Sequence, residues 1–216
     1  CVIQTCWSGP SDQDGRIRAR LEEIGPSVGQ FLDRMPYPVI NTLFDDLLPS
    51  GLRHYWKGCF NDTLHDDAIA AHVSFARTLP TPESATLIFP IDGACHRVGP
   101  TETAFGYRDA NLAAGIGATW HDAAEDEANI AWTRAYYQAL RPTAMPGGYV
   151  NFSSDDDPAQ IRANYQHNHR RLVEVKSRYD PDNLFRLNQN IPPATADPDD
   201  PATDGPPEPP AQKVNP

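Results

Sequence analysis

The stretch LAAGIGATW, residues 112–120, constrains the fold more than any other part of the sequence. It has the length of a strand, and it carries two glycines in its interior. Glycine weakens a strand on its own account, so it marks a place where something flat or bulky comes close to the backbone. A second stretch, RHYWKGCF at 53–60, alternates His, Trp, Gly and Phe against Tyr, Lys and Cys, the pattern of an aromatic-rich strand. ATLIFPI at 85–91 reads as a third. CVIQTCW at 1–7, ACHRVGP at 94–100, TAFGYRD at 103–109 and YVNF at 149–152 raise the count to about six or seven, and SVGQFLDRM at 27–35 is a further candidate. Short turns between neighbours favour antiparallel pairing.

Helical spacing appears at 16–24, in a short piece within 37–48, at 68–79 and at 124–140. The last helix, 158–179, opens with an Asp run and a proline near its first turn. Strands in succession with helices between them predict an α+β fold: an antiparallel sheet of about six or seven strands with helices covering one face. The other face has to meet something else. The sequence has no G-x-G-x-x-G motif and no P-loop, which agrees with a sheet that is not doubly wound.

A chain of 216 residues can bury a real core. Its 29 acidic residues against 18 basic ones give a net charge of -11, which argues against nucleic acid and anionic membrane surfaces as partners. No apolar run approaches the ~20 residues of a membrane span, and no signal-peptide pattern is visible, so the compartment stays open with a lean to the cytoplasm. The chain starts at Cys1 rather than Met, which reads as a piece of something longer. The four cysteines form no C-x-x-C pair; free thiols are favoured over a disulfide, and both over a metal site. His65-Asp66-Asp67 and the acidic run after His121 stand where helix N-termini are expected, so they read as caps and no metal is predicted. Beyond residue 193 the sequence is acidic and rich in proline, with almost no large apolar side chain, and reads as a disordered tail.

The segment RYDPDNLFRLNQNIPP, 178–193, is tightly punctuated: a turn, two apolar residues, three amides within four positions, then Pro-Pro. With YVNF and YQHNHRRLVEVKSRYDPDN before it, this order resembles the C-terminal segment of berberine-bridge-enzyme-like flavoproteins, in the vanillyl-alcohol-oxidase superfamily of FAD-linked oxidoreductases. The matching positions are Tyr149, Asn151, Phe152, Arg171, Leu172, Lys176, Tyr179, Asp180, Pro181, Asn183, Phe185, Asn188, Gln189 and Ile191. MPYPVINTLFD, RHYWKGCF, GACHRVGPTETAFGYRDA and WHDAAEDEANIAWTRAYYQALRP are similar to the substrate-binding domain of the same enzymes. The likeness covers about residues 1–193.

The resemblance implies a substrate-binding domain over 1–145, a flavin-contacting C-terminal segment over 146–193 and the tail over 194–216. It also implies that the cofactor is FAD, held largely by an FAD-binding domain that this sequence lacks and that the same or a partner chain would supply. The ligand would be a small molecule, an alcohol or an amine oxidised by hydride transfer, with oxygen as the final acceptor; the alternative is a fragment or subunit with no activity alone. Asn151, Asn188 and Gln189 would meet the flavin, because amides offer both donors and acceptors to its polar edge. Tyr149 would be the base, a role for a phenol only where neighbours stabilise its anion. Tyr107, Arg108 and Tyr55 are the expected substrate contacts. At Tyr107 many relatives carry His, at Gly106 Pro and at His169 Tyr. The first two departures bear on substrate, and the third on helix packing.

Overall fold

In the computed structural model, residues 1–45, 49–154 and 157–194 are described; the predicted tail from 195 onward and the end of the 37–48 stretch lie outside them. The chain divides into two units, 1–46 and 47–216. In the first, α1 (Asp14–Glu22) follows a 3-10 turn, Ser11–Gln13, and a one-turn α2 spans Tyr37–Ile40. Arg34 reaches the Asp14 carboxylate at 2.7 Å. None of its described residues is fully buried.

The second unit is built on three strands, β1 (Arg53–Asn61), β2 (Ala85–Pro90) and β3 (Leu112–Trp120), in the order β1-β3-β2, all antiparallel. The architecture is α+β, but the sheet has three strands and not the six or seven predicted. The missing strands share one cause: a strand is defined by a partner ladder, and those segments spend their backbone groups elsewhere. Residues 94–108 fold as turns, with Cys95 N–H on Asp92 O and Arg97 N–H on Ala94 O. The Arg108 guanidinium then takes the carbonyls of Cys95 and Phe105. Val150–Phe152 is a 3-10 turn rather than a strand. Residues 1–7 and 27–35 have no paired neighbour among the described residues.

One face of the sheet carries α3 (Asp66–Ala76) and α4 (Asp126–Leu140). Register puts Tyr55, Cys59, Ala114, Ile116, Ala118 and Trp120 on this side. Cys59, Ala114 and Ile116 pack with Ala68, Tyr136, Tyr137 and Leu140, and Tyr55, Ala118 and Trp120 pack with Ile130 and Trp132. Ile116 and Tyr136 are wholly buried, and each such side chain contributes roughly 1.5–3 kcal/mol of burial. At the end of the sheet, the Asp126 carboxylate accepts both Arg53 nitrogens at 2.6 Å and the Trp120 indole N–H at 2.7 Å. Arg53 and Trp120 are register partners, so one carboxylate fastens β1, β3 and the start of α4 together. The Arg53 contact holds the Asp126 carboxyl below its ordinary range.

The predicted final helix is two: α5 (Pro158–Tyr165) and α6 (Asn168–Tyr179). Gln166, between them, has φ +50°, which an L residue rarely adopts and which breaks the helical path. Asp157 caps α5 through Ala159 N–H. After α6, the Asp180 carboxylate receives Leu184 N–H and Phe185 N–H, while Lys176 bonds both that carboxylate and the Phe185 carbonyl. Asn183 takes the left-handed backbone of the turn at φ +51°. Among the described residues no helix is long and apolar enough to cross a membrane.

Candidate functional site

The second face of the sheet is where the glycines of β3 matter. Register sets Trp56, Gly58 and Phe60 of β1 beside Gly117, Gly115 and Ala113 of β3, with Ala85, Leu87 and Phe89 of β2 beyond them. Pleat sends all nine to one side. The result is a shallow floor, and Phe152 lies on it: a Cβ at either Gly58 or Gly115 would stand 2.9 Å from a Phe152 carbon. The Phe152 ring sits between Trp56 and Phe89, with centroids 5.8 and 5.9 Å away and planes tilted by 24° and 15°. Tyr149 meets it edge-on at 5.4 Å. Together these rings form an aromatic shelf, and Leu87 and Phe89 at its rim remain about two-fifths exposed.

The segment carrying Tyr149 runs along the outer edge of β1. Met145 N–H bonds Phe60 O; Ser154 N–H bonds Trp56 O, and its hydroxyl accepts Trp56 N–H. Between these anchors the Val150–Phe152 turn closes with Phe152 N–H on Tyr149 O at 2.9 Å. That turn drops Phe152 onto the glycines and leaves Tyr149 37% exposed. The Asn151 amide Nδ2 donates to the Tyr149 hydroxyl at 2.9 Å. From the other end of the unit, Gln189 Nε2 reaches Ser153 O at 3.3 Å. Asn188 is exposed in a left-handed turn at φ +59°, closed by Asn190 N–H on its carbonyl.

Tyr149, Asn151 and Gln189, predicted as site residues, are therefore assembled in one place, with Asn188 in the adjoining turn. The expected substrate contacts stand apart from them. Tyr55 points to the helix-covered face, where its hydroxyl accepts the Arg134 Nε–H at 3.0 Å. Tyr107 is wholly buried, stacked on Phe60 at 4.7 Å, and donates to Ala163 O at 2.7 Å. Burial pushes its phenol up, with the Gln166 side chain and the Gly147 amide pulling the other way through hydrogen bonds. Arg108 binds its own loop: Phe105 O, Cys95 O and Thr103 Oγ1, with its guanidinium 4.8 Å from the Phe105 ring. It borders an open cleft of about 600 Å³ between His96–Asp109 and Gln166–His167. Sequence reasoning left Trp56 even between pocket and core and assigned Phe152 no site role. The signal for them was present in β3, whose glycines call for a flat neighbour.

Comparison with known proteins gives this geometry a context. The crystal structure of aclacinomycin oxidoreductase has the same fold over 87% of this chain and 43% of that one, with a TM-score of 0.65 at 23% identity. The chain thus shares the fold of part of that protein. Residues 148–192, which hold the Tyr149 segment, α5, α6 and the amide turn, match the berberine and berberine-like family model. An FAD-linked oxidoreductase of Bacillus subtilis (strain 168), YgaK, is 35% identical over 130 residues, which are 60% of this chain and 29% of that protein. Another, from Dictyostelium discoideum, is 26% identical over 197 residues, 89% of this chain and 42% of the relative. The chain is similar to berberine-bridge-enzyme-like FAD-linked oxidoreductases over these stretches, and it spans less than half the length of these two.

Proposed function

We propose that this chain is the substrate-binding part of an FAD-dependent oxidoreductase that oxidises an alcohol or amine, with oxygen as final acceptor. An FAD-binding half, in the same or a partner chain, would complete it. The observation that carries this reading is the convergence of Tyr149, Asn151 and Gln189 beside an exposed aromatic shelf, from segments 36 residues apart along the chain at the Gln189–Ser153 contact. The residues suit a flavin in kind. Asn151, Asn188 and Gln189 are uncharged amides, able to pair with both carbonyl and N–H groups along a ring edge, and the shelf beside them is apolar.

When bound, the flavin supplies the hydride acceptor. The chain's own part is proton handling and placement. Tyr149, acting as its phenolate, takes the proton of the substrate hydroxyl on Oη, and Asn151 Nδ2 donates to that same oxygen, stabilising the negative charge it carries before the proton arrives and again after it leaves. The carboxamide oxygen of Asn151 would hold the ring edge of a bound flavin while its Nδ2 stays on Tyr149. The reading that the chain does nothing alone is favoured by Leu184, Phe185 and Leu187, which are 76%, 78% and 87% exposed; apolar side chains so placed are normally covered by a partner.

The test is a visible spectrum. The purified chain is incubated with excess FAD and desalted, alone and after co-expression with an FAD-binding half taken from a full-length relative. Flavin absorbance is expected only in the co-expressed sample. Flavin retained by the chain alone would overturn the division of labour. Oxygen uptake by the complex over a panel of alcohols, unchanged in Tyr149→Phe, would remove Tyr149 from the proton step.

A further inference from the structure

The Tyr149 segment enters its position through Gly147-Gly148, and both glycines are gripped. A Cβ on Gly147 would collide with the Tyr107 hydroxyl and the Ala163 carbonyl; one on Gly148 would collide with the Gly58 backbone carbonyl. Only glycine lets the chain pass between α5 and β1 here. Two side chains close the grip. The Tyr107 hydroxyl donates to Ala163 O in α5 at 2.7 Å, and its oxygen fills the space beside Gly147 where a Cβ would stand. Asn164, one residue further along α5 and only 6% exposed, accepts Gly148 N–H on Oδ1 at 2.9 Å. Gln160 Nε2 donates to the same Oδ1 at 2.9 Å and holds the carboxamide in place. Asn164 Nδ2 is buried with no hydrogen-bond partner among the described residues. An amide buried with half its capacity unused is costly, so its retention points to the task done by the other half.

We propose that Asn164 and Tyr107 are positioning residues: through Gly148 and Gly147 they set where Tyr149 and Asn151 stand on the shelf. This gives Tyr107 a role different from substrate contact, and it makes α5 the element against which the Tyr149 segment is aligned. The inference rests on the reading of Tyr149 as the residue that faces the substrate, but its test does not.

The chain has eight tyrosines, so 3-fluorotyrosine is introduced at 149 alone, and in a second sample at 136 in the closed core, and each is followed by fluorine NMR on the full 216-residue chain. In Asn164→Ala the 149 resonance is expected to move toward its position in urea and to broaden, while the 136 resonance stays in place. Asn164→Asp keeps both the volume and an acceptor for Gly148 N–H and is expected to restore the native 149 signal, whereas Asn164→Leu keeps the volume without an acceptor and is expected to act as Asn164→Ala does; a role in packing alone would let both restore it. Tyr107→Phe, which keeps the ring and removes the hydroxyl, is expected to act as Asn164→Ala does. A native 149 resonance in both Asn164→Ala and Tyr107→Phe overturns the proposal. If Asn164→Ala also displaces the 136 signal, the milder Tyr107→Phe decides. Failure here leaves the flavin assay with Tyr149→Phe untouched, so the two readings fall separately.

Discussion

The two faces of the three-stranded sheet solve different problems. The face under α3 and α4 is closed, with Cys59, Ile116, Tyr136 and Leu140 buried almost completely, the Cys59 thiol on Asn61 and the Tyr136 hydroxyl on His72. The opposite face has small residues on β3, one ring seated on them, and a rim of Leu87, Phe89 and Tyr149 still reaching solvent. The closed face supplies stability. The open face gives some of that up to keep a shelf where something else can lie, as regions used for binding generally do. The difference comes from side-chain volume on one strand: the same β3 presents Ile116 to the helices and Gly115 and Gly117 to the shelf.

Three measurements would break or sharpen this contrast. Ile116→Ala should cost the most, about 2–5 kcal/mol in urea unfolding, because a wholly buried branched side chain leaves a cavity between sheet and helices. Phe152→Ala should cost less, about 1–3 kcal/mol, since the ring is only partly buried and its loss uncovers a floor already open at one side. It should also raise binding of a hydrophobic dye while leaving near-ultraviolet signals of the closed core in place. Equal costs for the two substitutions would mean that the faces do not differ in the way described. The smallest effect belongs to pH. His72, whose Nδ1 is 2.6 Å from the Tyr136 hydroxyl, is held below its ordinary value by burial. The unfolded chain therefore takes up that proton first as pH falls. The His72 contribution should be fully kept above about pH 6.5 and decline below it. Urea midpoints at pH 7.5 and 5.5, compared between the native chain and His72→Gln, measure this; a pH dependence unchanged by the substitution would show that the closed face does not exclude the charged imidazole.

Much of this was legible in the sequence. Alternation and branched or aromatic residues located all three strands, and the glycines of 112–120 announced the close approach that Phe152 makes. Tyr149, Asn151 and Gln189 were chosen from the resemblance; in the fold Asn151 bonds the Tyr149 hydroxyl and Gln189 bonds the Ser153 carbonyl. The surplus strands were not excluded by local pattern, because ACHRVGP and YVNF have strand-like composition yet close on themselves as turns, with Arg97 N–H on Ala94 O in one case and Phe152 N–H on Tyr149 O in the other. Tyr107 looked like a pocket residue because nothing in its neighbourhood announces Ala163 and Gly147, which are distant in sequence and meet it only in the fold. The break at Gln166 was equally hidden, since neither glycine nor proline marks it.

The strand order β1-β3-β2 has a consequence for how the chain comes into being. The central strand is the last of the three to be made, and β1 and β2 never touch as a pair. A growing chain that has emerged only as far as residue 111 holds two strands with no ladder between them, and the Asp126 fastening of Arg53 to Trp120 has yet to arrive. During synthesis the sheet therefore appears all at once, when Leu112–Trp120 inserts between strands that have been waiting, and until then the aromatic residues of 53–60 are in the keeping of whatever protects nascent polypeptides.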